Sequence, residues 1–111
     1  MNFESEQKES NIEIIRRVIA ESPQEVEREY KNTPNTWLAC VITRLQAIVA
    51  HLEFAEEEGE ISAEEAQKYR ARRKSLTDYI RELKGTYVRK EDEVPEEIKR
   101  EILQRLDILR E

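Results

Sequence analysis

The stretch from Pro34 to Glu58 restricts the possible folds more than any other part of the chain. At 100° per residue, Trp37, Leu38, Val41, Ile42, Leu45, Ile48, Val49 and Leu52 fall on one broad side of a helix. Ala39, Cys40, Thr43, Ala47, Ala50 and Phe54 form a second, mostly small-residue side. A surface helix has one apolar stripe and a polar back, so a helix apolar on two sides requires neighbours on both. This segment is expected to be the central helix of a bundle. The chain has only two glycines and three prolines, too few turn residues for a set of strand hairpins. No segment reads as a strand, and the expected class is all-α.

Start and stop signals divide the rest. Ser10 followed by Glu13 fits a capping box ahead of the stripe Ile12, Ile15, Val18, Ile19. Residues Phe3 to Lys8 could extend that helix backwards. Ser22-Pro23-Gln24-Glu25 reads as a stop and a second start, because Ser caps and Pro suits the first helical position. A short helix then runs to Tyr30 or Lys31. Thr33 or Asn35 is placed to cap the central helix, and Gly59 to end it in a left-handed conformation. Ser62 and Glu65 form another box, opening a helix to Lys84 with Ala66, Tyr69, Leu76, Ile80 and Leu83 in line and Arg73 in an apolar slot. Pro95 opens a last helix to about Arg110, carrying Ile98, Ile102, Leu106 and Leu109. The expected architecture is a single domain, residues 1–111. It is a bundle of about five helices around a long antiparallel hairpin formed by the central helix and the one after it.

Charged residues make up 40% of the chain and apolar ones 38%, which suits helices with heavily charged outer faces. The net charge of −6 disfavours casual binding to nucleic acid or anionic membrane. Cys40 is the only cysteine, so neither an internal disulfide nor a cysteine-rich zinc site can form. A lone thiol in an apolar run fits a reducing compartment. The polar, acidic start from Met1 to Ser10 does not resemble a secretory leader. The longest apolar run, Trp37 to Ile42, is far shorter than the roughly 20 residues of a membrane span. A cytoplasmic protein without cofactor or metal, and with no membrane partner, is expected.

Three charged constellations could carry chemistry. In Lys68-Tyr69-Arg70-Ala71-Arg72-Arg73-Lys74, five of seven residues are cationic. Arg70, Arg72, Arg73 and Lys74 are therefore candidate phosphate or nucleic-acid contacts. The cations spread around most of the helix, however, and an antiparallel neighbour would bring Glu53, Glu56, Glu57, Glu58 and Glu60 close. Pairing of Arg72 and Arg73 with glutamates of their own chain or of a dimer mate is the expectation. The stretch Glu56 to Glu65 holds six glutamates but lacks the alternating Asp/Asn ligands of a calcium loop, and reads as a solvated loop.

Arg44 and His51 stand seven residues apart, two helical turns, and so leave the same side of the central helix. The pair resembles the Arg-x4–6-His signature of HEPN-type RNases, which are small dimerising helical bundles. That resemblance implies metal-independent RNA cleavage, with His51 as general acid and base and Arg44 on the phosphate charge. Leu45 stands where family members carry a polar residue. The bland alternative makes both residues borders of the apolar faces, with Arg44 paired to a carboxylate.

The reading that absorbs most of the chain is a non-enzymatic protein–protein interaction or regulatory protein, acting as a homodimer and on an unidentified protein partner. Ala39, Thr43, Ala47, Ala50 and Phe54 would form its interface, since small side chains let a second backbone approach. A HEPN-like RNase and a nucleic-acid-binding accessory subunit using Lys68 to Lys74 are the competing readings.

Overall fold

A computed structural model describes residues 9–109. Within them the chain is all-helical, with no strand. The four helices are α1 (Asn11–Asn32), α2 (Trp37–Glu57), α3 (Ala63–Lys84) and α4 (Glu96–Ile108). The suggested extension through Phe3 to Lys8 and the end of the last helix at Arg110 lie outside the described residues.

The expected break at Ser22-Pro23 does not occur: Pro23 lies inside α1, so one helix stands where two were expected. A proline removes one donor from the helical ladder, here the one owed to the Ile19 carbonyl, and its ring crowds that turn. Side chains bind the neighbouring carbonyl, that of Val18. The buried Ser22 hydroxyl does not cap a new helix but donates back to the Val18 carbonyl at 2.6 Å. Arg44 of α2 donates to the same carbonyl at 3.0 Å and to Ser22 Oγ at 3.3 Å. Continuing the helix also extends the buried line of Ile15 and Ile19 to Val26.

The remaining caps follow local chemistry. Ser10 Oγ accepts the Glu13 amide and Ser62 Oγ the Glu65 amide, each at 3.1 Å. Thr36, rather than Thr33 or Asn35, caps α2 by accepting the Ala39 amide at 3.1 Å. Gly59 has φ +77°, the left-handed conformation that releases the chain from α2.

Both ends of α1 are completed by the two later interhelical loops. The Glu60 carboxylate, from the α2–α3 loop, accepts the amides of Asn11 and Ile12 at 3.1 Å each. These are two of the donors that a helix start leaves without partners. At the other end Lys90, from the α3–α4 loop, donates its ammonium to the carbonyls of Tyr30 and Thr33. The same ammonium sits 4.3 Å from the Tyr30 ring centre, and the Tyr30 hydroxyl donates to the Lys90 carbonyl at 2.9 Å. Anion at the start and cation at the end is the arrangement the helix dipole favours.

The core is one continuous cluster. Leu38, Val41, Leu45, Ile48 and Leu52 of α2 meet Ile15 and Ile19 of α1, Leu76 and Ile80 of α3, and Ile102 and Leu106 of α4. Side chains of this size stabilise by about 1.5–3 kcal/mol each when fully buried. The molecule measures 50 × 33 × 19 Å, two helices thick. Its closest packing is between antiparallel α1 and α2, not in the expected α2–α3 hairpin, while α4 crosses against α1 and α3.

Candidate functional site

α2 is not enclosed on two faces as expected. α1 and α3 flank its broad side, and the small-residue face divides. Cys40 is fully buried and Ala39 and Ala47 are half-buried, whereas Thr43, Ala50 and Phe54 face outward. Gln46, Glu53 and Glu57 share that outward side. Phe54 is 50% exposed, and only Val88 and Ile108 are large apolar residues of comparable exposure among those described. Beside Thr43 and Ala47 a groove of 390 Å³ opens between α1 and α2, rimmed by Arg28, Asn32 and Thr33. By length and composition alone α2 could also cross a membrane: its 18-residue window has a mean hydropathy of 1.4.

Arg44 and His51 do not converge on one ligand. The Arg44 guanidinium is committed to Val18 and Ser22, with Glu21 at 4.0 Å. His51 sits two turns on, its Nδ1 3.4 Å from Asn11 Oδ1 and its ring edge-on to Phe54 at 6.2 Å. The Asn11 amide donates in turn to Glu58 at 2.7 Å and Glu60 at 2.8 Å. Each residue thus joins α2 to a different point of α1.

The basic run also separates. Arg70 pairs with Glu56 at 2.6 Å, Lys74 with Asp78 at 2.7 Å, and Lys68 with Glu64 at 3.7 Å. Arg72 and Arg73 do not pair with glutamates among the described residues. The nearby acids are already engaged: Glu56 by Arg70, Glu58 by Asn11 and Glu60 by the start of α1. Arg73 Nε is buried without an acceptor, as its place in the apolar line of α3 requires. Arg72 lines a groove with Arg16 of α1, a residue that sequence spacing could not connect to it. Tyr69 lines the same groove, and its hydroxyl is buried without a partner. Burial pushes that phenol up to about 12, against the opposing pull of Arg16 and Arg72.

The acidic loop is partly structural. Desolvation is the largest influence on the Glu60 carboxyl and pushes it up. The hydrogen bonds from Ile12 and Asn11 together outweigh it and hold the group below its ordinary value. Cys40 is buried, and burial pushes its thiol up, the reverse of what a nucleophile needs. Among the described residues no cluster of three His, Cys, Asp or Glu side chains is arranged to hold a metal ion. Comparison of the chain with protein families, characterised proteins and solved structures finds no match.

Proposed function

We propose that this chain is a non-enzymatic protein–protein interaction module that self-associates through the outward face of α2. The observation that carries this reading is the exposed Phe54 on the same face as Thr43 and Ala50, with the α1–α2 groove alongside. A two-fold axis crossing α2 between Ala47 and Ala50 sets each Ala47 opposite Ala50 of the second copy. The same operation carries Phe54 of one copy to Thr43 of the other, where the groove can receive its ring. Two-fold pairing is the commonest way for a chain to cover such a face. The small side chains let the helices approach, and a buried aromatic ring anchors each end. Glu57 of one copy then arrives on the side where Arg28 of the other stands exposed. In a reducing compartment such as the cytoplasm Cys40 stays a thiol and takes no part.

Sedimentation velocity at tens of micromolar tests this. The expected mass is that of two chains, reduced to one by Ala50→Glu, because a charge buried in a close helix contact is costly. Circular dichroism checks that the variant keeps its helices. A wild-type mass of one chain overturns the reading, and an undiminished dimer in the variant moves the interface elsewhere.

A further inference from the structure

The groove between the first halves of α1 and α3, lined in part by Arg16, Tyr69 and Arg72, has the composition of an anion site and shares no residue with the α2 face. Its volume is 190 Å³. Ile12, Ile15 and Ile61 make an apolar floor. Arg16 of α1 and Lys68 and Arg72 of α3 stand around it, with Glu65 as the one acid in its lining. Arg16 and Arg72 have no ion pair among the described residues, whereas Lys68 is paired with Glu64. Two guanidiniums from different helices thus line the groove that Tyr69 also lines. The buried Tyr69 hydroxyl has no partner, and neither arginine can serve as one, because guanidinium has no acceptor. Buried polar groups rarely stay unsatisfied. What the groove lacks is an acceptor of high negative charge.

Lys68 is paired with Glu64, so the guanidiniums of Arg16 and Arg72 are the groove's two positive charges without an ion pair, set against Glu65; together they suit the roughly −1.5 to −2 of a phosphomonoester at neutral pH. Guanidinium also fits phosphate oxygens in a two-bond fork. A nucleic-acid backbone suits the groove less well. Arg70 and Lys74, which a tracking strand would use, are held by Glu56 and Asp78.

We propose that this groove binds a small organic phosphomonoester. The phosphoryl oxygens lie between the Arg16 and Arg72 guanidiniums and accept the Tyr69 hydroxyl. The organic part rests on Ile12, Ile15 and Ile61.

Phenyl phosphate is the probe, titrated into the full chain at constant ionic strength and followed by amide chemical shifts. Saturable shifts are expected at Ile12, Arg16, Tyr69 and Arg72, with phenol alone giving none. Arg16→Gln and Arg72→Gln should each weaken binding about tenfold, the scale of one lost charge-assisted hydrogen bond. Tyr69→Phe should weaken it less, and Arg81→Gln, which removes an exposed cation elsewhere on α3, should leave it unchanged. Shifts that stay linear into tens of millimolar would overturn the proposal, as would an equal loss in Arg81→Gln. Sedimentation of the protein with phosphatidate vesicles in the absence of phenyl phosphate binding would also overturn it, in favour of a lipid surface. Neither readout depends on the oligomeric state.

Discussion

Arg44 donates to the carbonyl of Val18, so a side chain of α2 is tied to the turn of α1 next to the one that Pro23 disturbs. The arginine that a ribonuclease would turn toward phosphate is here spent on backbone. Arg44→Ala should lower stability by about 1.5–3 kcal/mol, the range for a hydrogen bond from a charged group. Pro23→Ala restores the missing amide donor and should stabilise the protein by about 1–3 kcal/mol. The two changes should be non-additive, with Arg44→Ala costing less once Pro23 is gone. A double-mutant cycle by urea denaturation measures the coupling, and strict additivity would refute it.

Acid should loosen the start of α1. The Glu60 carboxyl is held below its ordinary value in the folded chain. Its contribution is therefore fully present above the unfolded value, about 4.5, and is lost as pH falls through the lower folded value. Wild-type Tm should drop between about pH 5 and 3 more steeply than that of Glu60→Gln. Parallel curves would mean that the carboxylate does not cap the helix.

Lys90 should matter more than an exposed loop lysine ordinarily does. Lys90→Met keeps the stem against Tyr30 but removes the donor to the Tyr30 and Thr33 carbonyls. A loss of about 1–2 kcal/mol is expected, near the scale of a favourable charge at a helix C-terminus. Lys84→Met, on an exposed position at the end of α3, should stay within about 0.5 kcal/mol in the same denaturation assay.

The two sides of α2 should respond oppositely to truncation. Ile48 is fully buried, and Ile48→Ala should cost about 2–5 kcal/mol of stability. Thr43 faces outward, and Thr43→Ala should change monomer stability little. Cys40, buried beneath the same helix, should react with a thiol reagent only as fast as the fold opens, whereas full exposure in urea should make it react at once.

Much of the fold is readable from local signals. Ser10, Ser62 and Gly59 act where their side chains or backbone predict, and the buried residues Leu38, Val41, Leu45, Ile48 and Leu52 trace the stripe that periodicity defines. The break expected at Pro23 fails because α1 is held against α2 on both sides of it, by buried Ile19 and Val26 and by Arg44, which arrives from another helix. The small face was misjudged because periodicity gives a residue's side but not whether a neighbour covers it. The fully buried Cys40 and exposed Ala50 look alike in such a projection. Of the cationic groove, Tyr69 and Arg72 are visible as part of a charged run, but Arg16 joins them only because α1 and α3 both pack on α2.

The clamping of α1 by Glu60 and Lys90 bears on how the protein opens. An ordinary helix frays from its ends, and its terminal amides exchange with solvent through small local fluctuations. Here the amides of Asn11 and Ile12 are released only when the α2–α3 loop lifts away, and the final carbonyls only when the α3–α4 loop does. Deuterium uptake at the start of α1 should therefore be timed by the departure of a loop some fifty residues along the chain, at Glu60, so that the first helix and the connections behind it come apart as one cooperative unit.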